Sequence, residues 1–386
     1  MKKEINIKNN DFLFTLFKEY YFKNIGTLRP PIEMHTREFG IMTFENKVIR
    51  HLAFSKIGNL KAYIIQNVPS DIFCSNAYYQ FPTFPINEKG WKGADMIFDI
   101  DLNDLILPCQ KEHTFYICSN CGVVFRDFTK LCHECQNSKI QKNTIPCLRC
   151  INALKKETKN LIEFLKKDFG IQKENMEVSF SGNTGFHVVV FQKNYLLLDS
   201  KSRSDMVGYL MGKNLSPESL GVRNDKHGYR IKIPLSGYSY GWRKRIVQKM
   251  KISEVSNDHL NKFIKKIGGY QSFKTEIDKI ASELGIKIDP QVTTDIHRIF
   301  RMVGSLNSKS GLSKIVCYDL DKFDPMNDSC FFKNDRNVDI SLTIPLKFSI
   351  KGRKYTLDKS ISTVPVPVAV FLISKRLANI ACYPSS

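Results

Sequence analysis

WKGADMIFDIDLNDL, residues 91–105, is the stretch from which the rest of the chain can be read. Met96, Ile97 and Phe98 form a short apolar run that Ile100 continues between two acids, the pattern of a buried β-strand. Asp99 and Asp101 are two residues apart, so on a strand both carboxylates leave the same face. Paired carboxylates at the end of an apolar strand are costly unless a cation sits between them. Carboxylate oxygen is the ligand that Mg²⁺ or Mn²⁺ prefers, so the stretch points to a divalent-metal site. The plainer alternative is a strand that runs into a turn, with Asp99, Asp101, Asn103 and Asp104 all solvated.

The chain has 386 residues, enough for a large core and more than one subdomain. Its 58 basic and 38 acidic residues leave a formal net charge of +20, which favours nucleic acid or another polyanion as partner. The start, MKKEINIKNNDF, lacks the apolar stretch of a signal peptide. The apolar run from Val364 to Ile373 is about half a membrane span and contains Pro365 and Pro367. These features predict an intracellular protein with no membrane partner. There is no internal repeat or low-complexity tract.

Six of the eleven cysteines fall in three C-x2-C pairs between Cys118 and Cys150, with Cys109 and His113 just upstream. Short-spaced pairs in an intracellular chain read as metal sites rather than disulfides. Cys118, Cys121, Cys132 and Cys135 form one closed four-cysteine zinc knuckle by spacing, and Cys109, His113, Cys147 and Cys150 remain to close a second structural site. The spacing leaves two alternatives open: one zinc only, or Cys132 and Cys135 joined with Cys147 and Cys150. His133 lies inside a pair and is not counted as a ligand. The four scattered cysteines, Cys74, Cys317, Cys330 and Cys382, read as small core residues.

Along the chain, residues 1 to about 30 hold a helix-like start marked by Phe12, Leu13, Phe14, Leu16, Phe17, Tyr20 and Tyr21, and REFGIMTF and KVIRHLAF suggest a hairpin carrying Arg37, Glu38, Arg50 and His51. After Cys150 the period changes to 3.6, predicting a helix of about four turns that ends near Gly170. MEVSFSGNTGFHVVVF reads as strand, glycine turn, central strand. In the turn, Ser181, Gly182 and Gly185 can aim backbone N–H groups at an anion, and His187 opens the next strand. Residues 202–210 start a helix containing Arg203. The region 212–250 is rich in Gly, Lys and Arg, with YGWRKRIVQKMK its most basic piece; a solvated face and a phosphate-backbone contact are the two readings. Residues 258–286 are helical with a break at Gly268 and Gly269. In IDPQVTTDIHRIFRMVGSLNSKSG, Arg298 and Arg301 are placed one turn apart on a helix, before a loop bearing Lys309. They can serve a triphosphate or sit as salt-bridged surface residues. On sequence logic Asp289 and Asp295 are equal candidates for a third carboxylate.

Taken together these residues resemble the catalytic (small) subunit of archaeal and eukaryotic DNA primases, in order from about residue 30 to the end. By resemblance, Asp99 and Asp101 are metal-binding carboxylates, and the IDPQVTTDIHRIFR segment supplies the third at Asp289. Glu38 and Arg50, twelve apart, match a pair that borders the active site. SGNTGFHV is similar to the family's serine-glycine-x-arginine-glycine-x-histidine motif. Cys147 and Cys150, directly before the long helix, match the last two ligands of the family zinc site, which supports Cys109 and His113 as their partners with a second knuckle nested between. Two positions depart from the pattern. Thr184 stands where the motif has arginine, and Asn307 where a histidine follows the serine-leucine pair. Weaker triphosphate binding, or compensation from Arg37, Arg203 or Lys309, is the expectation.

The resemblance implies a mixed, largely antiparallel α/β catalytic core of the archaeo-eukaryotic primase type, not a dinucleotide fold. The expected organisation is an N-terminal part of the core at 1–108, a zinc-binding insert at 109–150, the rest of the core at 151–340 and closing strands with a helix at 341–386. It implies two-metal nucleotidyl transfer with Mg²⁺ or Mn²⁺ and structural Zn²⁺ (one or two), making short RNA primers, with DNA as a further product, on single-stranded DNA. Asp99, Asp101 and Asp289 hold the ions in this scheme. Ser181, Gly182, Gly185, His187, Arg298, Arg301 and Lys309 receive the nucleoside triphosphate, and Arg37, Glu38 and Arg50 flank it or the template. The implied partners are a separate large subunit and a replicative DNA polymerase, in the cytoplasm or nucleoid of an archaeal-type cell. A primase-related repair polymerase and a non-catalytic zinc nucleic-acid-binding subunit are the rival functions.

Overall fold

In the computed structural model, which describes residues 2–225, 228–231, 240–251 and 257–382, the acidic stretch is a β-strand, Met96–Asp101. It forms one edge of a four-stranded antiparallel sheet, next to Gly185–Val190, then Met176–Phe180, then the short Ile315–Val316. Met96, Phe98 and Ile100 face the main core, whereas Asp99 and Asp101 share the other face with Ile97. Ile97 packs there with Val292 and Phe300 in a small separate cluster. The valine-rich strand is central, as its apolar character on both faces predicts.

A second antiparallel sheet has the order Ile299–Arg301, Asp71–Ser75, Phe39–Met42, Val48–Leu52. Its last two strands are the expected hairpin. Phe300 reaches from this sheet to Ile97 of the acid strand and to the ring of His187, so the two sheets meet along the line where the acids emerge. The long helix, Leu148–Phe169, packs on the acid strand and the central strand through a stripe that includes Leu154, Leu161 and Leu165. Gly170 ends it at a positive φ of 65°, as expected, but with 22 residues it is longer than four turns because it starts inside the last cysteine pair.

One element differs in kind. The segment holding Arg298 and Arg301 is not a helix: the helix stops at Thr294, and Ile299–Arg301 is a strand paired with Phe73, Cys74 and Ser75. A β-branched residue and an aromatic in alternation suit a sheet edge, and the free edge of Asp71–Ser75 supplies backbone partners that local periodicity cannot reveal. Arg298 and Arg301 are therefore set by sheet register, not by a helical turn.

The cysteine-rich insert is a three-stranded sheet with Thr114–Cys118 between Val124–Phe125 and Ile140–Thr144. Near the C-terminus, Asn337–Leu342 is flanked by Ile361–Pro365 and Ala378–Cys382, and an almost wholly buried helix, Val366–Ser374, packs behind it. Helices Asn257–Lys266 and Tyr270–Leu284 are separated at the Gly-Gly break. Among the described residues no helix is long and apolar enough to cross a membrane. Residues 226–227 and 232–239 of the basic region lie outside the described residues. In its most basic piece, the helix Gly241–Lys249, Arg245 binds Asp168 and stacks on Phe164, so that cation serves the fold, while Lys249 stays exposed in a surface pair with Glu283.

Candidate functional site

Asp99 and Asp101 emerge from the acid strand with one neighbour directly opposite each: His187 faces Asp99 and Gly185 faces Asp101 across the ladder. A Cβ at Gly185 would lie 2.5 Å from the carbonyl oxygen of Ile100, so only glycine lets the two backbones close here. Asp289 arrives from far along the chain. Its backbone N–H donates to the Asp99 carbonyl (3.2 Å), and Thr293 Oγ1 donates to the Ile97 carbonyl (2.8 Å), which docks the short helix Pro290–Thr294 on the acid strand. Asp289 caps that helix through the N–H of Gln291 (2.9 Å). Asp295, its rival by sequence, is used by the N–H of His297 (2.9 Å).

The electrostatics register this gathering. Burial, then the charges of Asp101, Asp104 and Asp289, push the Asp99 carboxyl up to about 8, with Arg298 the opposing influence. Asp104 thus belongs to the cluster, although nothing in its spacing singles it out. An all-oxygen donor set of this kind fits a hard divalent ion.

The SGNTG turn opens beside the acids. Gly182 has φ of 83°, and Ser181 Oγ accepts from the N–H groups of Asn183 (3.4 Å) and Gly185 (3.2 Å), which shapes the turn. Thr184 Oγ1 donates to Asp101 Oδ2 (2.8 Å). The threonine that stands in for an arginine therefore orients an acid instead of offering charge. Asn307 organises the following loop: its Oδ1 accepts from Lys309 N–H (3.0 Å), and its Nδ2 lies 3.5 Å from the Ser181 carbonyl. That brings the 305–311 loop to the turn, with Lys309 exposed at its tip.

Arg298 is half-buried and close enough to Asp99 to lower its pKa. Arg301 pairs with buried Asp71 (2.6 Å) and donates to the Leu306 carbonyl (2.6 Å). Glu38 is fully buried. Burial raises its pKa, but Arg50 (2.9 Å) and Lys89 (3.4 Å) outweigh that and hold it ionised. Glu38 and Arg50 thus form an ion pair across the hairpin.

Arg37 and Arg203 correct the expectation. Both are 0% exposed. Arg37 binds Asp95 (2.6 Å) and the carbonyls of Ser75 and Asn76, and lies 3.5 Å from the Tyr78 ring centre. Arg203 donates to the carbonyls of Ala94, Asp95 and Leu198. Each guanidinium is used up inside the fold, so neither is free to meet a triphosphate or a template. The cation that does reach the turn is one the sequence reading missed. Lys375, 1% exposed, donates to Asn183 Oδ1 (2.6 Å) and to the Thr144 carbonyl (3.0 Å), and burial lowers its pKa to about 7. Its one local signal is a lysine closing an otherwise apolar helix.

The thiols form two groups, with no disulfide among the described cysteines. Cys118, Cys121, Cys132 and Cys135 lie within 4.8 Å of one another, with sulfur pairs at 3.5 and 3.3 Å. Cys109, Cys147 and Cys150 form the second group, with sulfurs 3.6 and 3.7 Å apart. Four thiolates around one tetrahedral ion stand about 3.8 Å apart for a metal–sulfur bond of about 2.3 Å, so the spacing fits a soft metal. The alternative pairing of Cys132 and Cys135 with Cys147 and Cys150 is not what forms. His113 stands outside the second group, with Nε2 4.0 Å from Glu112, although its carbonyl is hydrogen-bonded to Ile145 two residues before Cys147.

Comparison with known proteins places this arrangement. Residues 127–316 match the family described as DNA primase small subunit. The chain is 40% identical over 376 residues to the DNA primase small subunit PriS of Nitrosopumilus maritimus, covering 96% of this chain and 98% of that one. It is 36% identical over 368 residues to the corresponding protein of Cenarchaeum symbiosum, covering 95% and 97%. Among solved structures, the polymerase domain from Mycobacterium tuberculosis Ligase D in complex with DNA is similar over 80% of this chain and 83% of that one, at a TM-score of 0.36 and 10% identity.

Proposed function

This chain belongs to the DNA primase small-subunit family, and from that membership we propose that it is the catalytic subunit of a primase, joining nucleotides into short RNA primers on single-stranded DNA. The observation that carries the reading is the meeting of Asp99, Asp101 and Asp289 beside the SGNTG turn, with Arg298 at their side. Asp99, Asp101 and Asp289 would hold two Mg²⁺ or Mn²⁺ ions. When bound, such ions lower the pKa of an attacking hydroxyl and neutralise charge on the phosphates. The 3′-hydroxyl of the growing strand would attack the α-phosphate, and pyrophosphate would leave.

The chain's own groups divide the remaining work. Thr184 orients the Asp101 carboxylate from the turn. The turn's backbone, Ser181 and His187 would line the triphosphate, with Arg298, Arg301 and Lys309 as cationic partners. Arg50, held by Glu38, would flank the nucleotide or the template. The basic excess would follow the template backbone with little sequence readout. In this reading the cysteine groups hold structural Zn²⁺, the second with His113 turned in as fourth ligand, and the chain works with a separate large subunit and hands its product to a replicative DNA polymerase.

The test is incorporation of labelled nucleotides on single-stranded DNA with Mg²⁺ or Mn²⁺, by the chain alone and with its large subunit, with Asp101→Ala as control. Products made without an added primer, and lost in the variant, are expected. Extension only of a supplied primer would point to a repair-type polymerase. Template binding with no incorporation would leave a non-catalytic subunit.

A further inference from the structure

Among the described residues three lysines are almost completely enclosed: Lys89, Lys314 and Lys375. Lys89 holds Glu38 and Lys375 holds Asn183. Lys314 has no part in the chemistry described above. It sits between Ser313 and the edge strand Ile315–Val316, fixed by backbone hydrogen bonds to Ser305 and Gly304, and is 4% exposed. The hydrogen-bond partner of its ammonium among the described residues is Nδ1 of His187, at 3.1 Å.

With Lys314 in its charged form, that contact sets where the imidazole proton lies. A lysine ammonium has donors and no acceptor. The ring nitrogen it faces must offer a lone pair, so Nδ1 carries no proton. An imidazole whose Nδ1 accepts keeps its proton on Nε2. An imidazolium is excluded on the same ground, since its Nδ1–H would point at an N–H. The other nitrogen, Nε2, looks toward the acids and lies 3.5 Å from Asp99 Oδ1. The ring itself is held by the edge of Phe300 and by the central strand.

We infer that Lys314 is a positioning residue that holds His187 in its Nε2–H form, so that the imidazole meets the site as a hydrogen-bond donor and not as a proton acceptor. Applied to the proposed reaction, on which this role in turnover rests, His187 donates to an oxygen of the incoming triphosphate. It does not take the proton of the 3′-hydroxyl. Lys314 touches neither substrate nor reacting atom and acts only through the ring.

The direct test is the tautomer. The full-length chain, with its zinc retained and its histidines labelled with ¹⁵N, is examined by long-range nitrogen–proton correlation, with His187→Gln to assign the ring. The expected pattern is a neutral ring protonated at Nε2. A ring protonated at Nδ1, or at both nitrogens, overturns the inference. Two variants then separate the hydrogen bond from packing. Lys314→Met removes the donor, and should let the Nδ1–H form appear and raise the KM for nucleotide about tenfold, with kcat altered less than about threefold, the scale of one hydrogen bond to a charged group. Lys314→Gln keeps an N–H donor without the charge and should restore both the tautomer and the KM to within about threefold. A Met variant with the wild-type spectrum and KM would also overturn the inference. If the Met variant does not fold, the wild-type spectrum and the Gln variant still decide. If the wild type incorporates no nucleotide at all, the proposed function falls, while the spectrum still decides what Lys314 does to His187.

Discussion

The outer cysteine group and the acid cluster are both suited to a metal, yet they are built in opposite ways. Cys118, Cys121, Cys132 and Cys135 come from one short stretch, and none of the four belongs to the main hydrophobic core. Asp99, Asp101 and Asp289 span nearly half the chain and converge because one sheet, one docked helix and one backbone hydrogen bond bring them together. In the first case the ion can supply the folding energy, because little else holds the stretch. In the second the fold must come first, and it pays for gathering three acids in a half-buried place, where the Asp99 carboxyl is pushed up to about 8. The inner group, Cys109, Cys147 and Cys150, lies between these extremes: Cys109 and Cys150 are part of the main core, and Cys147 and Cys150 begin the long helix.

This contrast can be broken at several points. Asp289→Asn should have the largest effect. Asparagine keeps the helix cap, so the melting temperature should hold or rise as one like charge leaves Asp99, while nucleotide incorporation falls by about 10³-fold or more, the scale of losing preorganised charge stabilisation. A fall in stability matching the fall in rate would mean that Asp289 is structural. Cys150→Ser comes next. It puts a hydroxyl in the core and removes a ligand, and urea titration should show a loss of about 2–4 kcal/mol in global stability.

A third measurement uses the tie between the two regions. Lys375 joins Thr144, at the root of the insert, to Asn183 of the turn, and burial holds its pKa at about 7 in the folded chain against an ordinary value of 10.5. Between those values the unfolded chain carries a proton that the folded chain does not, so stability rises with pH across that window. The burial cost is fully present below about pH 7. Relative to Lys375→Met, the wild type should gain roughly 1 kcal/mol per pH unit between pH 7 and 9, and parallel stability curves for the two would rule the buried lysine out as the cause. The smallest global effect is expected from Cys121→Ser combined with Cys132→Ser. Global stability should change by less than about 1 kcal/mol, because the outer group is peripheral to the core. Limited proteolysis should nevertheless open residues 118–140, and metal analysis should show the outer ion lost. Loss of the whole fold would erase the distinction between outer and inner groups.

Residues with a local pattern were legible. The acid strand, the hairpin with Glu38 and Arg50, the glycine turn and the end of the long helix at Gly170 all stand where spacing and period put them, and the thiols of the four-cysteine knuckle meet. Arg298 and Arg301 were assigned to a helix because their three-residue spacing suits one, and the free edge of Asp71–Ser75 made the segment a strand. Arg37 and Arg203 look like spare cations in the sequence, but Asp95 and a set of backbone carbonyls consume them. Thr184 looks like the loss of an arginine and turns out to hold Asp101. Nothing local marks Lys314 as the partner of His187, since the two are 127 residues apart.

The sequence by itself determined which side chains leave which face, because strand and helix periods are properties of the backbone. It also marked the cysteine pairs as metal ligands, because ligands a few residues apart can reach one ion without help from the rest of the fold, while the structure decided that Cys132 and Cys135 join Cys118 and Cys121. Only the tertiary structure decided which acid joins Asp99 and Asp101, which cations remain free and which side chain faces Nδ1 of His187. Those outcomes depend on burial and on donors from distant segments, and a charge or a lone pair takes its meaning from the partner that packing puts beside it.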